Sequence, residues 1–115
     1  MKLPANGYEL FDSERKSKTQ PDAWDHPPPE ALDRIQPGYM VNVGVTHAKL
    51  AGERFWGVVQ ELAGAAITIQ IDQKLVCSKD HGLNYQDRIC VEERHIFGIL
   101  DAQGKTVWPA DEPGT

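Results

Sequence analysis

The sequence predicts a mainly β protein, a small SH3-like β-barrel or roll of five to six short strands with a short N-terminal helix. Three observations predict it. Val41, Val43 and Val45 alternate with Asn42, Gly44 and Thr46, and Ile67, Ile69 and Ile71 alternate with Thr68, Gln70 and Asp72. That period of two marks strands with one buried face. Tight-turn residues punctuate the chain at Pro37-Gly38, Ala63-Gly64 and Asp101-Ala102-Gln103-Gly104. The run from Gly52 to Val59 is the densest stretch of strand-forming and aromatic residues, and it is apolar on both faces. Phe55 and Val59 point one way, and Trp56, Val58 and Leu62 the other. A strand wetted on one side would alternate, so this one is expected in the middle of a curved sheet.

Residues 1–26 read as an N-terminal arm, largely irregular. The polar run from Asp12 to Gln20 has no apolar face and cannot offset its ordering entropy by burial. Tyr8, Leu10, Phe11 and Trp24 interrupt it, and an arm carrying such residues is expected to dock on its own domain or on a neighbour's. Residues 27–108 read as one domain. Pro27-Pro28-Pro29 stiffens the chain, and Pro29 suits the first turn of a helix, where its missing N–H costs nothing. Glu30 to Ile35 then forms one or two turns, with Leu32 and Ile35 on one face plugging an end of the barrel, until Pro37-Gly38 stops it.

The first strand follows from Tyr39, and His47 to Gly52 reads as a connection. Glu53 to Leu62 is the second strand and Ala66 to Asp72 the third. Between Gln73 and Gln86, Leu75-Val76-Cys77 is a candidate brief strand, Ser78 to Gly82 a turn, and Leu83 and Tyr85 loop anchors. Arg88 to Glu92 is a fourth strand with Ile89 and Val91 inward, Ile96 to Leu100 a fifth, and Lys105 to Trp108 a short return. Residues 109–115 form a polar tail. The segment from Met40 to Leu100 is thus expected to curl closed with Trp56 at its heart.

Four motifs occur in order: Pro37-Gly38-Tyr39-Met40-Val41-Asn42-Val43, Gly52-Glu53-Arg54-Phe55-Trp56, Gly82-Leu83-Asn84-Tyr85-Gln86-Asp87-Arg88-Ile89 and His95-Ile96-Phe97-Gly98-Ile99. This pattern resembles the YegJ-like family of small bacterial proteins of unknown function, over roughly residues 36–100. Gln86 stands where that family usually has glycine, Tyr39 where it has aspartate, and Gly57 where a larger residue follows the Trp. The resemblance implies a compact β-rich domain in a bacterial cytoplasm and carries over no site residue.

Charge and chemistry narrow the function classes. Of 115 residues, 40% are hydrophobic and 25% charged, which is ordinary for a soluble domain. Net charge is −5; residues 1–36 hold 5 basic and 7 acidic side chains, and residues 37–115 hold 7 and 10. Neither part offers a footprint for phosphate backbones, which makes nucleic acid an unlikely partner. Residues 1–7 lack the apolar core of a secretory signal, and no run reaches the ~18 apolar residues of a membrane helix. The expectation is a cytoplasmic protein whose two cysteines, Cys77 and Cys90, are reduced and partly buried.

Cys77-x-x-x-His81 is the one close pair of soft ligands, with His95 and Cys90 as conceivable additions. Structural zinc needs two tight pairs, so no metal or other cofactor is expected. Cys77 with His81 or His95 is the leading catalytic dyad, but a cysteine in Leu75-Val76-Cys77 reads first as a small core hydrophobe. Glu92 and Glu93 are strand neighbours and face opposite sides, so they share no substrate. No catalytic residue is assigned. Gly57 beside Trp56 marks a bend or bulge.

Binding remains. Tyr39, Arg54, Phe55, Trp56 and Tyr85 are the residues able to form a hot spot, although Phe55 and Trp56 read first as core. The expected function is a non-enzymatic protein-interaction module. Its partner is an unidentified protein segment, or a second copy engaged through the N-terminal arm. A nucleic-acid-binding barrel and a minor enzyme using Cys77 and His81 are the alternatives.

Overall fold

The computed structural model describes residues 9–12, 26–47, 50–73, 83 and 85–108. Tyr8, Trp24, Cys77, His81, the candidate strand at 75–77 and the tail at 109–115 lie outside them. Among the described residues seven strands form one sheet: β1 (Glu9–Leu10), β2 (Met40–His47), β3 (Leu50–Ala63), β4 (Ala66–Ile71), β5 (Arg88–Val91), β6 (Ile96–Leu100) and β7 (Thr106–Trp108). One short helix, α1 (Pro29–Leu32), precedes β2, and a 3-10 turn (Glu93–His95) precedes β6. The strand order is β5-β4-β3-β2-β6-β7, with β1 also on β2, and every pairing is antiparallel. Strands β2 to β5 follow one another as a meander. The chain then crosses back, so that β6 lies beside β2.

The inward residues gather into one cluster: the three valines of β2, Phe55 and Val59 of β3, the three isoleucines of β4, Ile89 and Val91 of β5, and Ile96 and Ile99 of β6. Ala31, Leu32 and Ile35 from α1 and its following turn join that cluster, as the spacing of Leu32 and Ile35 predicts. Pro29 opens the helix, and Ala31, Leu32 and Asp33 donate their N–H groups back to Pro28 and Pro29.

Strand β3 is central, as its two apolar faces predict, but it is longer than the pattern implies. Leu50 pairs with His47, so most of the expected connection from His47 to Gly52 is hairpin. Ala51 and Gly52 carry no strand signal of their own; they lie at the register shift between the pairs His47–Leu50 and Val45–Glu53, which hold them in the strand from both sides. From Leu50 to Val58 the strand pairs with β2, and from Gly57 to Ala63 with β4. Only Gly57 and Val58 belong to both ladders, and there the strand changes partners. A Cβ at Gly57 would stand 2.6 Å from Ile69 Cδ1 and 3.2 Å from Ile69 Cβ. The missing side chain is what lets β4 fold so closely over β3. At the β3–β4 hairpin, Gly64 has φ +61° and Ala65 does not share a positive φ, the pattern of a type II′ turn.

Trp56 is not at the heart of the fold. Phe55 pairs directly with Val43, so both lie on one face, and Phe55 is fully buried. Alternation then turns Trp56 outward, where it is half-buried. Leu62, beyond the bulge between Val59 and Glu61, is 42% exposed. Cys90 is exposed rather than partly buried, because its neighbours Ile89 and Val91 take the inner face.

Candidate functional site

Five residues were candidates for a hot spot, and the fold brings two of them together. Arg54 and Trp56 flank Phe55 on β3 and share the outer face. Phe55 is core and is withdrawn from any surface role. Tyr39 sits half-buried at the entrance to β2 and packs on the rim of the core; its carbonyl accepts the Val59 N–H at 2.7 Å. Tyr85 is 47% exposed in the turn before β5, and no contact joins it to Arg54 or Trp56 among those the described residues show.

The partners of Arg54 and Trp56 come from β2 and β6. Asn42 lies directly opposite Trp56 on one side and Gly98 on the other. The indole reaches across Asn42: a Cβ at Gly98 would be 3.4 Å from its Cη2. Beside it, the Arg54 guanidinium stands 4.4 Å from the centre of the Phe97 ring, a cation–π stack. Phe97 is buried yet lies outside the core cluster. Strand β6 slips register between its pairs Val43–Ile96 and Asn42–Gly98, so Phe97 is the extra residue of a bulge. The bulge allows Ile96 and Ile99, three apart, both to face inward, and it sends Phe97 to Arg54.

The Trp56 backbone is held on the side away from β2. Its N–H is bonded to Gln73 Oε1 and its carbonyl accepts the Asp72 N–H, each at 2.9 Å. The result is an outer-face ribbon of Arg54, Phe97, Trp56 and Asn42, in which flat rings and a planar cation are supported from behind by glycine and backbone. Such groups bury large areas at small entropic cost.

A second cluster surrounds the 3-10 turn. His95 is buried, and its Nδ1 accepts the Glu92 N–H at 3.0 Å while the Glu92 side chain accepts the His95 N–H. This is a reciprocal cap, and it commits His95 to structure. Burial first, and the Arg94 charge second, hold the imidazole below its ordinary pKa, against smaller opposing effects of Glu92 and Asp12. Arg94 bonds Glu92 at 3.0 Å and Asp12 at 3.2 Å.

Sequence reasoning missed Asn42, Phe97 and Gly98 as neighbours of Trp56. It also read Glu92 as the end of a strand, although Glu-x-x-His has the spacing of a cap. Among the described residues no three His, Cys, Asp or Glu side chains converge as metal ligands, and no helix is long and apolar enough to cross a membrane. The chain matches no family model, no curated protein and no solved structure.

Proposed function

We propose that this chain is a non-enzymatic protein-interaction module built on a small SH3-like barrel, and that the ribbon of Arg54, Phe97, Trp56 and Asn42 is its contact face. The barrel reading is supported by the strand order, in which a four-strand meander is followed by a 3-10 turn and a strand returning to β2. It is also supported by the single cluster that gathers inward residues from β2 to β7. Kinship with the YegJ-like family belongs to the same proposal. It rests on the order of the four motifs, and Gln86, where that family carries glycine, has φ +73°.

One observation carries the functional reading. An exposed arginine, stacked on the buried Phe97 ring, stands beside a half-buried tryptophan on the outer face, and the core cluster is filled without any of the three. The test is selection of a displayed peptide library on the full chain and on its Trp56→Ala and Arg54→Ala variants. The expected result is a consensus enriched on the parent and lost on both variants, with their melting transitions retained. No enrichment, or enrichment indifferent to both substitutions, would sink the reading. Rings and arginine also stack on nucleic-acid bases. Retention of single strands that falls steeply with salt would favour that alternative, against which the charge of −5 argues.

A further inference from the structure

Strand β6 covers only part of one edge of β2. Its ladder runs from Met40–Leu100 to Val43–Ile96, and the 3-10 turn then leads the chain away. Beyond Val43 that edge would present unpaired backbone groups. Residues of the N-terminal arm fill the gap. Glu9 pairs with Thr46, Leu10 with Val45, and the Phe11 N–H donates to the Gly44 carbonyl at 2.9 Å.

Three features give this edge a side-chain code. Leu10, opposite the inward Val45, packs against the core. Phe11 lies on Gly44, where any Cβ would clash with the ring. Asp12 reaches the Arg94 guanidinium at 3.2 Å. Backbone pairing supplies affinity, and alternate side chains supply selection, as in recognition by strand addition.

We propose that the β2 edge beside Gly44 is a recognition slot for an extended leucine–aromatic–acidic segment, and that its trans occupant is Glu9–Asp12 of a second copy of this chain. Thirteen residues, 13–25, join Asp12 to His26. Extended, that link spans about 45–50 Å, against a longest dimension of 40 Å for the protein, so the segment can reach a neighbour's slot. The contacts within one chain and between two are the same, and only the tether separates them. Joining by a tether of this length is equivalent to a concentration on the order of millimolar, which keeps the slot filled in cis when the protein is dilute. The inference deepens the interaction-module reading but uses a different part of the surface.

The test mixes two full-length variants. Gly44→Ala blocks the slot and keeps the arm; Phe11→Ala spoils the arm and keeps the slot. Neither residue belongs to the core cluster, and circular dichroism checks that both chains stay folded. Light scattering should find each variant monomeric alone at about 1 mM and the mixture forming a one-to-one dimer of twice the mass. A mixture that stays monomeric at that concentration overturns the proposal.

A second measurement needs no variant. Adding an unlabelled peptide of residues 7–14 to the isotope-labelled parent chain should displace its own arm and release the Phe11 amide to fast hydrogen exchange. The same peptide with Phe11→Ala should not. A Phe11 amide that stays protected under millimolar peptide is equally fatal. Introducing Trp56→Ala into both mixed variants should leave the dimer intact, which separates failure of the slot from failure of the ribbon.

Discussion

Substituting Gly57 by alanine tests whether the change of partners along β3 depends on one absent methyl group. The new Cβ would be 2.6 Å from Ile69 Cδ1, 3.1 Å from Cγ1 and 3.2 Å from Cβ. The first contact is the severe one, because Ile69 is fully buried and a χ rotation of its Cδ1 would run into other core atoms; the last two need shifts of only a few tenths of an ångström. Overpacking of this kind costs about 1–3 kcal/mol. Ile69→Val alone removes one buried methyl-sized group and costs about 0.5–1.5 kcal/mol. In the double variant the shortened side chain makes room for the new methyl group. The cost of the double variant should therefore fall short of the sum of the two single costs by about 1 kcal/mol or more, well outside the roughly 0.3–0.5 kcal/mol scatter of independent sites. Urea unfolding of the four chains, followed by far-ultraviolet circular dichroism, closes the cycle. Additive costs, or a Gly57→Ala chain as stable as the parent, would refute the steric account of the bend.

Three further outcomes follow from the same geometry. Phe55→Ala should cost about 3–5 kcal/mol in urea unfolding, and Trp56→Ala distinctly less, because the first empties the core and the second uncovers only the outer face; equal losses would contradict this assignment. Gln86 holds φ +73° while its N–H donates to Ile71 and its carbonyl accepts from Gln70 Nε2. Both bonds are made by backbone atoms of Gln86, so Gln86→Gly keeps them and should raise the melting temperature by a few degrees, at about 4–8 °C per kcal/mol, whereas Gln86→Val should lower it. The depressed His95 pKa means the folded state favours neutral imidazole. The unfolded chain therefore binds more protons below its ordinary value of 6.5. Stability from this group is present above that pH and is lost as pH falls through the folded value. Urea midpoints at about pH 7.5 and pH 5 should differ more for the parent than for His95→Gln; parallel shifts would exclude His95 as a source.

The ribbon was half legible before the fold was known. Arg54 and Trp56 are two apart, so alternation alone puts them on one face and Phe55 on the other. Reading Trp56 as the centre of the core followed its size rather than its parity with Val43. Phe97 was illegible as its neighbour because Ile96 and Ile99 violate a period of two, and only the bulge opposite Asn42 reconciles them. Cys90, by contrast, could have been placed outside from Ile89 and Val91 alone.

By itself the sequence determined the local events. Alternating valines and isoleucines set the inner faces of β2 and β4, Gly64 set a hairpin, and the proline run opened α1. These depend on neighbours within a few residues, where sterics and periodicity act directly. The return of β6 to β2, the vacancy this leaves along Gly44 to Thr46, and the meeting of Asp12 with Arg94 across 82 residues were decided by tertiary structure. Nothing in the local pattern of either partner encodes such a contact. It exists because the sheet commits its strands to the core, stops β6 short, and leaves backbone groups that must find a partner.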